Sequence, residues 1–290
     1  MGLNFNSINV TKGLNFNPIN IAKDVNGFLG AMNSARNVAS GTELYNTSGP
    51  NANEPSLGDI RQGSYGDCYF LASLGALDQH DPNAVKNMIH DNGNGTYTVS
   101  FHVQTQNGSY TTKQVTVSAN EISTKGANMG WNAMTDSKNG KQVIWPAVVE
   151  AAYAKMNDTK KFGIDLGISS GYNNIGGGGN PVPSLEILTG HVAQGYSPSG
   201  AELNNLQSQF DSGKLITVCT LESDGNQAGY NKGTNPYGLI GGHAYTVTNV
   251  YMRNGVEYVS LNNPWGFDQP QDIPLSKLSS VVAEIEVGSA

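Results

Sequence analysis

The sequence predicts an α+β protein, because stretches with helical spacing alternate with separate Val/Tyr/Thr-rich runs of strand character. Three observations carry this. In "DCYFLASLGAL", Phe70, Leu71, Leu74 and Leu77 recur at helical spacing. "WPAVVEAAYAKM" (145–156) reads as a second helix, with Pro146 suited to its first turn. In "GGHAYTVTNVYMRNGVEYVSLNNPWG" (241–266), two strand-like runs flank Arg253-Asn254-Gly255, a hairpin signal.

In chain order, "GLNFNSIN" at 2–9 returns as "GLNFNPIN" at 13–20, an 11-residue tandem duplication. Two copies are too few for a solenoid, so residues 1–44 are expected to form an Asn-rich extension, followed by a polar linker at 46–56. A helix starts at Asp67 or Cys68. "GTYTVSFHVQ" and "SYTTKQVTVS" form two strands joined by "TQNG". The four glycines 176–179 keep 172–184 out of regular structure. Residues 199–221 read as helix, glycine stop and strand: Leu203, Leu206 and Phe210 share a face, and Gly213 suits the position just past the helix end.

The register of the last hairpin decides whether His243 meets Asn263. A two-residue Asn254-Gly255 turn pairs Arg253 with Val256 and turns Asn263 away from His243. A three-residue loop pairs Met252 with Val256 and sets Asn263 on the face of His243, a diagonal neighbour within side-chain reach. Contact between the two therefore requires the longer loop.

Composition excludes several classes. Of 290 residues, 38% are hydrophobic and only 13% charged, about half the usual share, with Asn, Gly, Ser and Thr instead. A net charge of -7 without basic clusters argues against nucleic acid and anionic membranes as partners. No apolar run approaches the ~18 residues of a membrane-spanning helix, so no membrane anchor is expected. The start lacks a basic region followed by an apolar core, which fits the cytoplasm or export by a non-classical route. "MGLNFNS" misses the myristoylation pattern, since Ser7 comes one position late. Two cysteines are too few for a disulfide framework or a cysteine-based zinc site.

Cys219, in the β-like "KLITVCTL", reads as a small buried hydrophobe. Cys68 is different, because it heads a helix. A thiol attacks a carbonyl as thiolate, and both a helix N-terminus and a neighbouring imidazolium favour that form. His243 fits the imidazole, Asn263 fits the amide that orients it, and the Gln62 amide with the Cys68 N–H fits the oxyanion donors. Each residue also has a bland reading: core cysteine, satisfied core histidine, Asn-Pro turn, surface glutamine.

The joint pattern resembles the calpain protease core. "QGSYGDCYFLASL", "GGHAYTVT" and "NNPWG" are similar to that family's cysteine, histidine and asparagine motifs, in the family's order. "WPAVVEAAYAKM" resembles the helix between them, and "ILTG" the segment where the lobes meet. The resemblance implies a papain-like, two-lobed thiol endopeptidase, with a Cys lobe at 45–195 and a His/Asn lobe at 196–290. It makes Cys68 the nucleophile, His243 the base, Asn263 the orienting residue and Gln62 the oxyanion donor. Trp265 would shield the His–Asn bond, and Gly242, Gly190 and His191 would line the substrate cleft. Protein or peptide substrates are implied.

There are departures from the family. Tyr69 replaces Trp, Asn262 replaces Arg, and His191 replaces a second glycine. Animal calpains bind calcium in each lobe. Here Asp59 matches one acidic ligand, Asn173 stands in its partner's place, and no EF-hand loop occurs, so no cofactor is expected to be required. Two rival functions are a catalytically silent binding module and transglutaminase-type acyl transfer. The latter generally uses Asp as third member, against Asn263.

Overall fold

The computed structural model describes residues 41–49, 51–128, 141–158, 168–222 and 236–290. The 11-residue duplication lies outside them, as does most of the 1–44 extension. Along the chain the elements are β1 (Thr42–Glu43), α1 (Cys68–His80), α2 (Pro82–Met88), β2 (Ile89–Asp91), β3 (Thr96–Gln104), β4 (Tyr110–Ser118), β5 (Gln142–Val143), α3 (Trp145–Met156), α4 (Ile168–Ile175), α5 (Pro181–Thr189), β6 (Gln194–Tyr196), α6 (Gly200–Asp211), β7 (Lys214–Thr220), β8 (Ala244–Arg253), β9 (Val256–Asn262), β10 (Ile273–Pro274), α7 (Leu275–Leu278) and β11 (Val282–Ser289). The α+β class read from the sequence is the class observed. Most helices and the three-stranded sheet β2-β3-β4 make one lobe. The other is built on a six-stranded sheet in the order β10-β9-β8-β7-β11-β6. The end of the expected extension is paired, because β1 lies parallel to β5.

The six-stranded sheet is covered on both faces, and its alternation shows it. Leu215, Cys219 and Ala244 point into the core shared with α1, whereas Ile216, Val218, Tyr245 and Val247 face a second core with Leu206 of α6 and Leu278 of α7. Helix α1 is wedged between the lobes and buried from Cys68 to Asp78, not only along the expected stripe. Small residues permit this. A Cβ on Gly75 would lie 2.7 Å from Thr246 Oγ1, and that hydroxyl donates to Ala72 O at 2.8 Å. The helix therefore crosses the sheet almost in backbone contact.

Two local expectations are corrected. The irregular stretch is not 172–184 but only 176–180, with α4 ending before it and α5 starting after it. The start and stop signals of α5 are ordinary. Asn180 caps the helix by accepting the Val182 N–H at 2.8 Å, Pro181 takes the first position, and Gly190 ends it at φ 75°.

The second correction concerns the hairpin. It closes through a two-residue turn, Asn254 (φ 52°) and Gly255 (φ 78°), which pairs Arg253 with Val256. The longer loop is absent. The missing residue is gained inside β8, where a bulge leaves Thr248 unpaired between the pairs Val247–Leu261 and Asn249–Ser260. From there Asn262 lies opposite Thr246, and Asn263 continues to the position opposite Tyr245. The carbonyl of Thr248 accepts from Gln79 Nε2 of α1 at 3.2 Å.

Candidate active site

Three segments converge where α1 begins. Cys68 is the first residue of α1 and 3% exposed, and the Ala244 N–H stands near enough to favour its thiolate. His243 precedes β8 and is anchored through its backbone: its N–H donates to Thr220 Oγ1 and its C=O accepts the Thr220 N–H, both at 2.9 Å. Asn263, just past β9, places Oδ1 2.9 Å from His243 Nε2. Its amide orientation follows from two other bonds. Oδ1 accepts the Trp265 N–H at 3.0 Å, and Nδ2 donates to Asp268 O at 3.3 Å. An accepting Oδ1 puts the imidazole proton on Nε2. Nδ1 is then a buried base nitrogen with no hydrogen-bond partner.

Aromatic rings enclose the imidazole. Tyr245 meets it edge-on and Trp265 at a tilt, each with ring centroids 4.9 Å away. Gln62 is also buried. Its backbone N–H donates to Pro264 O at 2.8 Å, tying the loop before α1 to the Asn263 loop. One hydrogen of Gln62 Nε2 goes to Tyr65 O at 2.7 Å, which leaves the second.

Electrostatics differ from the sequence expectation. Burial pushes the Cys68 thiol up to about 12, with the Ala244 N–H opposing and the Asp67 charge adding. Burial also lowers His243 to about 4, against the hydrogen bond it donates to Asn263. A helix N-terminus is worth at most ~2 kcal/mol to an anion, whereas removing a charge from water costs several. Desolvation wins, and the resting pair is neutral thiol and neutral imidazole.

Behind the helix start lies a buried acid pair. Burial raises Asp67 to about 7, against a hydrogen bond from Glu150 that favours its charge, while burial and then the Asp67 charge raise Glu150 well above the usual range, against the Ala127 N–H that donates to Glu150 Oε1 at 2.8 Å. Burial also lifts Asp78 to about 7 and Glu286 to about 8. These acids are protonated when folded and ionised when unfolded, so their stability contribution falls as pH rises from about 4 towards 8. His243 works oppositely, between its folded value near 4 and the unfolded ~6.5. Above pH 6.5 the histidine contribution levels off within about one unit, while the acids, and the Cys68 and Cys219 thiols that ionise only on unfolding, go on lowering stability. The melting temperature is therefore expected to drop between pH 6.5 and 8.5, measured by circular dichroism. A rise over that interval would mean that the acids are ionised in the folded protein.

The other expected site residues are more scattered. Gly242 adjoins His243 at φ 60°. Gly190 and His191 are not brought to Cys68. Helix α5 starts beside α1, where Ser73 Oγ donates to Pro181 O at 3.4 Å, and Gly190 ends it roughly 13 Å away. There a Cβ on Gly190 would lie 2.8 Å from the His102 ring of β3. The glycine loop stands beside the start of α1 instead. Gly177 bridges Gly66, and a Cβ on Gly179 would be 2.8 Å from the Tyr69 ring. The four consecutive glycines were the signal for this wall. Asp59 Oδ2 accepts from Trp145 Nε1 at 2.8 Å and Ser56 N at 3.0 Å, and Asn173 is exposed on α4. Among the described residues no three His, Cys, Asp or Glu side chains are grouped to hold a metal ion.

Cys68, His243 and Asn263 are thus buried on segments of both lobes, and comparison with known proteins shows the family. The sequence pattern described as calpain family cysteine protease matches residues 42–272, and the chain belongs to that family. It is 27% identical to human calpain-9 over 216 residues, covering 72% of this chain and 28% of that protein. It is 28% identical to mouse calpain-8 over 217 residues, with the same coverage. Against calpain clp-4 of Caenorhabditis elegans it is 27% identical over 238 residues, 79% of this chain and 30% of that one. The chain thus spans under a third of the length of these relatives. A digestive procathepsin L2 proteinase from Tenebrio molitor larval midgut is 15% identical and aligns with a TM-score of 0.31 over 90% of this chain and 78% of its own.

Proposed function

We propose that the chain cleaves peptide bonds in protein substrates through Cys68, His243 and Asn263. The observation that carries the reading is the His243 Nε2–Asn263 Oδ1 bond of 2.9 Å, which leaves Nδ1 as an unpartnered base. Because the resting pair is neutral, Nδ1 takes the thiol proton as Sγ attacks the scissile carbonyl carbon. The Cys68 N–H and the second hydrogen of Gln62 Nε2 receive the oxyanion. The imidazolium then protonates the leaving amine, and water, deprotonated by His243, hydrolyses the thioester. Trp265 keeps solvent from the His–Asn bond. An extended substrate runs between the Gly177–Gly179 backbone and Gly242.

A fluorogenic casein assay with and without an added primary amine tests this. Hydrolysis that the amine leaves unchanged is expected. Amine incorporation would mark acyl transfer, and no turnover would mark a binding module.

The same reading makes calcium dispensable. Asp59 Oδ2 already accepts from Trp145 and Ser56, and the lobes are joined by direct bonds: Gln62 N–H to Pro264 O, Thr246 Oγ1 to Ala72 O, Gln79 Nε2 to Thr248 O, and Asn180 Nδ2 to Glu284 Oε2 at 2.9 Å. These contacts support closure by packing. Rates in excess EGTA and in millimolar calcium are expected to agree within about threefold, under ~0.7 kcal/mol of coupling. A tenfold rise with calcium would point to carbonyl ligands around residues 51–59 and 176–179.

A further inference from the structure

Gln269 has no part in the mechanism above, yet its side chain holds Asn263 by both backbone groups. Asn263 follows the end of β9, on the edge that β10 covers only at Tyr258 and Val259. There the outward N–H and C=O of Asn263 lack a strand to pair with, although the residue is fully buried. Gln269 supplies what the strand does not. Its Oε1 accepts the Asn263 N–H at 2.8 Å, and its Nε2 donates to Asn263 O at 3.2 Å. One side-chain amide thus imitates the paired bonds of a neighbouring strand. The Asn263 carbonyl also accepts the Gly266 N–H at 2.9 Å, whereas among the described residues Gln269 Oε1 is the acceptor for the Asn263 N–H.

The loop between the two residues is shaped for this return. It turns through Gly266 at φ 78° and Asp268 at φ 50°, the latter a left-handed conformation that few non-glycine residues adopt but Asp tolerates. Arg61 packs over the turn so closely that a Cβ on Gly266 would fall 2.0 Å from its Nη1. The same loop presents the Asp268 carbonyl to Asn263 Nδ2. Gln269 itself is exposed, so core packing does not explain why a glutamine stands there.

We infer that Gln269 is a positioning residue. It fixes the Asn263 backbone, so that Oδ1 stays in line with His243 Nε2 and the imidazole keeps Nδ1 towards the thiol. Hydrogen bonds weaken steeply with angle, and a small rotation of an unclamped Asn263 would loosen the ring. The inference rests on the triad reading above.

Steady-state kinetics on a fluorogenic casein peptide test it in four proteins: wild type, Gln269→Ala, Asn263→Ala and the double variant, with thermal melts alongside. Gln269→Ala is expected to lower kcat about fivefold, the net worth of one hydrogen bond, with KM within about twofold and near-wild-type melting. In the Asn263→Ala background the same change should alter kcat by less than about twofold, because the group it positions is gone. Gln269→Asn keeps the amide but is too short to bridge both backbone groups. It should behave like Gln269→Ala, and it decides the matter if the alanine variant does not fold. Wild-type kcat in both Gln269 variants, or a fivefold loss undiminished in Asn263→Ala, overturns the inference. A crippled Asn263→Ala beside an unaffected Gln269→Ala overturns the clamp alone. Asn263→Ala at wild-type kcat overturns the triad reading beneath it.

Discussion

Cys68→Ala is expected to abolish peptidase activity, by roughly 10⁴-fold or more, because without Sγ there is no nucleophile and no thioester. Folding should survive. The substitution removes one small buried atom at the head of α1, where Phe70, Leu71, Leu74 and Leu77 keep their packing. The loss should be about 1 kcal/mol, a few degrees in melting temperature. Cys219→Ala is the control. Its thiol sits on β7 in the same core, burial and Glu286 hold it protonated, and the mechanism gives it no role. It should keep its activity. Casein cleavage and thermal melts of both variants check the pair. A Cys68→Ala protein that still cleaves would refute the nucleophile assignment.

The second large effect separates His243 from Asn263. His243→Ala should cost about as much as losing the nucleophile, because at neutral pH the Cys68 thiol, raised to about 12, is almost wholly protonated without a base. Asn263→Ala should cost roughly 10²-fold. The imidazole would lose its Nε2 acceptor, yet the Tyr245 and Trp265 rings and the bonds of the His243 backbone to Thr220 still hold it in place. The measurement is kcat/KM for both, with melting curves. Equal losses and a non-cooperative melt in Asn263→Ala would mean that Asn263 serves the folding of the 263–269 loop instead.

Much of this protein was legible from local signals. The apolar spacing of 70–77, the Pro146 helix start, the paired β3 and β4 runs and the Gly213 stop each follow from propensities acting over a few residues, and each element is present. The Asn180-Pro181 start and Gly190 stop of α5 were equally local, but four glycines just before them drew the whole stretch into a loop. The Cys68, His243 and Asn263 motifs could be read because each carries its own short pattern.

What brings those residues together was decided elsewhere. Asn254-Gly255 specified a two-residue turn, and by that turn alone Asn263 faces away from His243. The bulge at Thr248 reverses the parity, and it is held by a partner in the other lobe, Gln79. No window of neighbouring residues contains that contact. Nor does any contain the Gln269 clamp or the place of the glycine loop beside Tyr69. Protonation follows the same division. The helix start at Cys68 is a local property and favours thiolate, whereas burial between two lobes is a property of the whole fold and favours the neutral thiol. Sequence alone determined which elements form and which reactive groups they carry, since propensity and capping are short-range. Tertiary structure alone decided the facing, register and charge of those groups, since cross-strand pairing and desolvation depend on atoms far apart in the chain.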